Sequence, residues 1–396
     1  MSVRSLTLGG FRSYDSLQVE IDTGAHVIVG PNAAGKTNLI EALVMLSRGR
    51  SHRSSSESEM IRWGHDLARI EAGVDLDTAH PEPRAREPRH RIEVVMRQPG
   101  STTGGRKRVR IDGVARRPNA ASAILRTVLF APEDMTLISG APALRRGFLD
   151  ALVAQREPTA AATMTTYARA LTQRNSLLRR IREDVASRDE LAYWDGVLIE
   201  SGGELLAWRR ATLDALAGPL AAAHREIAPA EPRLATRYVT NAPPTELEDD
   251  RTALRRRLRE TAEKEIWNGA TLVGPHRDDI VLESAGRDLA SFASRGQQRS
   301  AILALKLAEL DLLAALDGRP PLLLLDDVFS ELDPDRRTHL VRRIEALPQA
   351  LVTTTTTDDL DPALVASASV WTIEPGVVRS VRGPVPALVA DIAGRA

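Results

Sequence analysis

The chain has 396 residues, room for two domains or for one large domain carrying an insertion. At 43% apolar and 27% charged it can bury a core, and with aromatics at 4% that core must rest on Leu, Val, Ile and Ala. A formal net charge of zero excludes a molecule-wide basic field and leaves local patches to meet any nucleic acid, while the lack of cysteine excludes disulfides, thiolate metal sites and cysteine nucleophiles.

The opening residues MSVRSLTLGGFRSY carry no apolar signal core, and no run reaches the roughly 18 apolar residues of a membrane span, so a cytoplasmic protein is expected. Val3 to Leu8 alternates as a strand, Leu17 to Ile21 forms a second, and His26 to Val29 reads as a buried third. Asn38 to Leu46 is helical. After a polar Ser/Arg-rich stretch, strands are expected at Ala68 to Asp75, Arg91 to Met96 and Arg108 to Ile111, the last closed by an Asp112-Gly113 hairpin turn. His80 to His90 is a charged, proline-rich loop and Ser101 to Gly105 a turn. From Pro142 to Trp267 apolar residues recur at helical spacing, with Leu234 to Val239 the one strand-like exception. Strand sequence returns at Asp279 to Leu282. It is followed by a helix from Gln297 to Leu316, a strand at Leu322 to Leu325, a helix from Pro334 to Ala346 and a strand at Leu351-Val352. This alternation indicates a parallel α/β sheet.

Gly30-Pro31-Asn32-Ala33-Ala34-Gly35-Lys36-Thr37 fits the phosphate-loop pattern, with a strand before it and a helix, opened by Asn38, after it. Such a loop turns its N–H groups and a helix N-terminus towards phosphates. Lys36 would reach the β and γ phosphates of ATP, and the Thr37 hydroxyl would hold Mg²⁺. The acidic partner comes almost a whole chain later. Asp326 ends a run of four leucines and suits a Mg²⁺ ligand, and Asp327 beside it suits orienting or deprotonating a water. Taken alone, these are also two carboxylates at a strand end. Ser294-Arg295-Gly296-Gln297-Gln298-Arg299 precedes a long helix and offers a second anion site, or a plain helix cap.

The segment Ser294 to Arg299 resembles the signature motif of ATP-binding-cassette ATPases, and Glu331-Leu332-Asp333 resembles their D-loop. Phe11 to Tyr14, Gly30 to Leu43, Gly49 to Arg53, Phe130 to Asp150, Gln173-Arg174-Asn175, Gly274 to Asp279 and Asp326 to Asp333 narrow the likeness. In order along nearly the whole chain, they resemble the RecF family of bacterial DNA replication and repair ATPases. The resemblance implies an α/β cassette-type head with a strand-rich subdomain and an inserted helical arm. The expected parts are 1–130 (head with phosphate loop), 131–270 (arm) and 271–396 (head with signature, acidic strand and D-loop).

It further implies an ATP-closed homodimer on DNA, in which Ser294, Gly296 and Gln297 of one copy cover the ATP held by the other. Slow hydrolysis, cooperation with RecR and RecO and loading of RecA at single-strand gaps follow from the same likeness. Departures are visible. Asp327 stands where most cassette ATPases carry Glu, which implies weak hydrolysis, and Arg295 replaces a signature glycine. Thr353 to Thr357 occupies the place of the switch histidine, and Phe130 to Asp134 that of the glutamine loop.

A transporter subunit, a metabolite kinase and a protein with a vestigial site are the competing readings. The missing switch histidine, the extra signature and the intact Lys36, Thr37 and Asp326, respectively, disfavour them. DNA contacts are expected first at Arg106, Lys107 and Arg108, then at Arg116 and Arg117, with Arg145-Arg146, Arg179-Arg180 and Arg255 to Arg257 as further basic clusters. Each such cluster also reads as a solvated face paired with acids. His276 with Asp278 and Asp279 reads as a structural turn rather than a metal site.

Overall fold

The computed structural model describes residues 1–54, 56–76, 89–99 and 107–382. Most of the proline-rich stretch 80–90, the turn 101–105 and Arg106 lie outside the described residues. The chain forms two compact units, one of residues 1–135, 226–229 and 299–396, the other of 136–225 and 230–298.

The first unit holds two six-stranded sheets. One runs in the order Val377–Arg382, Ser369–Glu374, Gly24–Val29, Gln349–Thr354, Leu322–Asp326, Thr127–Phe130, and all its neighbours are parallel except the first pair. Leu322–Asp326 is buried at every position, as its run of leucines requires of a strand covered on both faces. The alignment of Asp326 with Thr353, and of Thr353 with Ile28, brings the carboxyl ends of three strands together. In parallel α/β sheets that edge is where ligands bind.

The second sheet is antiparallel, in the order Tyr14–Glu20, Ser2–Phe11, Leu67–Asp75, His90–Arg97, Lys107–Ile111, Val114–Arg116. Asp112 and Gly113 both take positive φ, 52° and 77°, as the expected Asp-Gly hairpin turn demands. Helix Lys36–Arg48 packs against strands of both sheets, which accounts for its burial from Leu39 to Ser47 on every side. Three strands of the parallel sheet were not expected: Thr127–Phe130, Ser369–Glu374 and Val377–Arg382. The first has only four residues.

The second unit is built on helices Pro142–Arg156, Ala160–Arg182, Leu191–Ile227 and Asp250–Asn268, with a small antiparallel sheet of Leu234–Val239, Asp279–Ser284 and Arg287–Asp288. Leu234–Val239 is thus the strand the sequence suggested. The signature helix runs from Arg295 to Ala314, two residues earlier at each end than expected. Among the described residues no helix is long and apolar enough to cross a membrane.

Candidate nucleotide site

The strand Gly24–Val29 delivers the chain to Gly30, where a Cβ would sit 2.4 Å from the Ile373 carbonyl oxygen, so glycine alone fits. Pro31, Asn32 and Ala33 are exposed at the tip, and Ala33 takes a φ of 66°. Ala34 is buried beneath them. Gly35 has a φ of 110°, and a Cβ there would meet the Ser13 hydroxyl at 2.7 Å. The Tyr14 hydroxyl donates to the Gly35 carbonyl at 3.1 Å, clamping the loop from below. Helix Lys36–Arg48 then starts with no side-chain cap, which leaves its first N–H groups without the usual capping partner.

Lys36 folds back into the loop and donates to the carbonyls of Gly30 at 2.7 Å and Pro31 at 3.0 Å. Burial lowers its pKa, while the charges of Asp327 and Asp326 oppose that shift. Thr37 donates its hydroxyl to Asp326 Oδ1 at 3.0 Å, across 289 residues of sequence. Thr353 donates to the same oxygen at 2.6 Å, and its own oxygen accepts the Asp327 N–H at 3.0 Å. Asp327 adopts a φ of 54°, turning the backbone as it leaves the strand. Burial and the neighbouring Asp326, Asp359 and Glu331 carboxylates push its pKa up against the pull of Lys36.

Lys36, Thr37, Asp326 and Asp327 therefore stand together. A hydroxyl and a carboxylate suit a hard cation such as Mg²⁺, which takes its remaining oxygens from water and phosphate. Among the described residues no group of three or more His, Asp or Glu side chains is placed to hold a metal ion.

Sequence reasoning passed over the support of this loop. Asn38 donates to the Ser13 hydroxyl at 2.9 Å. Arg12 grips the buried Glu41 through Nε and Nη2 at 2.8 and 2.7 Å, and Ser51 donates to the same carboxylate at 2.5 Å. Burial alone would raise the Glu41 pKa, but the Arg12 and Ser51 hydrogen bonds hold it below the usual range. Of the threonines, Thr353 and Thr354 are buried, and Thr355 is the exposed one. Asp134 accepts from the Ala131 N–H at 2.9 Å and pairs with the buried Lys306 at 3.2 Å.

In the D-loop segment Glu331 pairs with Arg299 at 2.9 Å and Leu332 is buried. Asp333 caps helix Pro334–Glu345 by accepting the Arg336 N–H at 3.1 Å. Ser294 and Gln297 belong to the second unit and form a reciprocal capping box: the Ser294 N–H donates to Gln297 Oε1 at 3.0 Å, and the Gln297 N–H to Ser294 Oγ at 3.2 Å. Gly296 lies in the first turn between them.

The basic clusters divide. Arg108, Arg116 and Arg117 are exposed, while Lys107 pairs with Glu57. Arg145 is not available as a DNA contact, because it makes a two-pronged pair with Asp279 at 2.8 Å and donates to three carbonyls. Arg146 donates to the Asp278 carbonyl at 2.7 Å, and Arg256 and Arg257 both pair with Glu260. His276 is a structural residue: one ring nitrogen meets the Tyr167 hydroxyl at 2.7 Å, the other the Thr271 carbonyl at 3.2 Å, and burial lowers its pKa to about 4.

Residues 2–374 match the family described as the RecF/RecN/SMC N-terminal domain. The chain is 38% identical over 384 residues to the DNA replication and repair protein RecF of Heliobacterium modesticaldum, covering 95% of this chain and 98% of that one. The chain belongs to the RecF family. Among solved structures, the recombination mediator protein RecF-ATPrS of the RecFOR pathway is similar with a TM-score of 0.83 at 30% identity, over 95% of this chain and 97% of the other. The SmcHead bound to the C-winged helix domain of ScpA shares the fold, with a TM-score of 0.51 at 16% identity and 99% of each chain covered. The mixed α/β architecture is thus that of RecF-family and Smc-type heads.

Proposed function

We propose that this chain is an ATP-driven DNA-binding switch of replication and recombinational repair. One contact carries the reading: Thr37 meets Asp326, so that the phosphate loop and the acidic strand make one site. Kinship with a DNA replication and repair protein, and with a recombination mediator solved as RecF-ATPrS, supports ATP as its ligand and RecO and RecR as its partners. RecA follows from the family likeness.

In this reading the loop amides of Asn32 to Lys36 and the helix N-terminus embrace the phosphates. Lys36 exchanges its contacts with the Gly30 and Pro31 carbonyls for phosphate oxygens. Thr37 and Asp326 would hold Mg²⁺, which when bound offsets phosphate charge. Asp327 orients and deprotonates the attacking water. Its shorter arm, in place of a glutamate, accounts for slow hydrolysis. The Ser294 hydroxyl accepts from Gln297 within its own chain, and its proton remains available for a phosphate oxygen held by a second copy. Gly296 and Gln297 then cover the same ligand, and Glu331, Leu332 and Asp333 line the joint between copies. The parts are a head (1–130 and 271–396) and an arm (131–270). DNA is held without sequence preference by phosphate contacts from Lys107, Arg108, Arg116 and Arg117, together with Arg106.

Sizing with and without ATP and gapped DNA tests this. Wild type is expected to dimerise on DNA only with ATP, and Lys36→Arg to remain folded yet monomeric. Dimerisation that ignores ATP, or no DNA binding under any nucleotide, would overturn the proposal.

A further inference from the structure

Between Ser300 and Leu310 the signature helix is buried at every position, and its two charged residues there, Lys306 and Glu309, are 5% and 2% exposed. Paired ions in a core are costly to desolvate, and apolar residues of similar volume often serve stability as well or better. What an ion pair adds is direction. A helix that is apolar all round can turn or slide among similar packings, whereas an ammonium and a carboxylate meet in only one of them.

The two charges continue into a chain of four that lies within the first unit. Lys306 Nζ meets Glu309 Oε2 at 3.4 Å and Asp134 Oδ1 at 3.2 Å. Asp134 Oδ2 accepts the Ala131 N–H at 2.9 Å, which ties that carboxylate to the turn after strand Thr127–Phe130. On the other side Glu309 Oε1 stands 3.8 Å from Arg48 Nη2, and Arg48 donates to the Thr127 carbonyl at 2.9 Å and to the Thr127 hydroxyl at 3.3 Å. Arg48 is the last residue of the phosphate-loop helix Lys36–Arg48. It lies about 18 Å along that helix from Lys36, at 1.5 Å per residue, and so remote from the phosphates.

We infer that Lys306 is a positioning residue for ATP turnover. Through Asp134 and the Glu309–Arg48 pair it sets the rotation and register of the signature helix against the phosphate-loop helix. It thereby sets where Gly296 and Gln297, in the first turn of the signature helix, meet a second copy's ATP. This inference rests on the shared-site reading above. An ion pair that serves folding alone is the competing account. Against it, apolar residues would serve folding as well, and the charges join the two helices of the chain that begin at a nucleotide motif.

Lys306→Met/Glu309→Gln removes both charges of the signature helix together, so that neither is orphaned. It should bind ATP as wild type does in calorimetry, yet lose about 10²-fold in turnover, the scale of a misplacement of about 1 Å far from the chemistry. Lys306→Arg, which keeps the charge, should restore most of the loss. Mixing then separates positioning from folding. Turnover should return in part when the double variant is mixed with Lys36→Arg, whose signature is intact, and stay absent when it is mixed with Ser294→Arg, whose signature is not. Asp134→Asn, at the less buried end of the chain of charges, should show the same pattern and decides the matter should the double variant not fold. Turnover equal to wild type, recovery with Ser294→Arg, or recovery with neither partner overturns the inference. Failure of Lys36→Arg and Ser294→Arg to restore turnover to each other sinks the shared-site reading instead.

Discussion

At the scale of single residues, the carboxylates of the acidic strand end are separated by their surroundings. Asp326 Oδ1 accepts from both Thr37 and Thr353, which tie it in place. The Asp327 pKa is raised by burial and by like charges, so this carboxylate is a stronger base than an ordinary aspartate. It must be ionised to take a proton from water. Hydrolysis should therefore fall as the pH drops through that raised pKa, on an acid limb lying above the usual aspartate value of about 3.9. The sign for stability is opposite: the folded chain binds this proton more tightly than the unfolded chain, so the group favours folding more as the pH falls. Asp327→Asn should lose about 10²–10⁴-fold in turnover, in line with removal of a general base, while still binding ATP. If the variant kept both its turnover and the acid limb in a steady-state pH profile, Asp327 would not be the base. The residues proposed for these roles stood out in the sequence because phosphate loops and acidic strands use fixed residue types at fixed places. The clamps by Tyr14, Ser13 and Thr353 did not: these residues lay in blocks the sequence singled out, but the partner of each hydroxyl is fixed only by folding.

At the scale of elements, the family-like block Gln173-Arg174-Asn175 proves to be a fastening of the second unit. Arg174, 2% exposed, pairs with Asp195 at 2.6 Å and with Glu265 at 2.7 Å, and donates to Thr271 at 2.9 Å. Asn175 accepts both the N–H and the hydroxyl of Thr271 at 2.7 Å. These contacts join helices Ala160–Arg182, Leu191–Ile227 and Asp250–Asn268 to Thr271, just ahead of the Gly274-Pro275 turn. Arg174→Met would strand the fully buried Glu265 charge. It should cost about 3–5 kcal/mol in urea unfolding, the scale of an orphaned buried ion; a loss below about 1 kcal/mol would show that the pair is dispensable. The helical periodicity of this region was legible because each helix has one apolar face. The fates of its arginines were not. Arg145 and Arg256 look alike in sequence to exposed Arg108, and only the positions of Asp279 and Glu248 pair them with acids of the same chain.

At the scale of the whole molecule, the proposed two-copy site can be tested by mixing. A Lys36→Arg chain lacks a working loop, and a Ser294→Arg chain lacks a working signature. Their mixed dimer joins one intact loop to one intact Ser294. ATP turnover should be absent in each variant alone and return in part on mixing; no recovery, with both chains folded and ATP bound by Ser294→Arg, would refute sharing. The sequence by itself determined the chain's RecF-family kinship and its alternation of strands and helices, and it offered the residues of the proposed nucleotide site, because glycines, periodic apolar residues and a run of leucines before an aspartate are local signals. It was silent on the outer strands Thr127–Phe130, Ser369–Glu374 and Val377–Arg382, which are short and acquire their meaning from the neighbours they pair with. The tertiary structure decided which carboxylate Thr37 meets, how the hairpin at residues 10–15 braces the loop, and which arginines are fastened inside. Such facts depend on contacts between residues distant in sequence, and those exist only once the sheets have assembled.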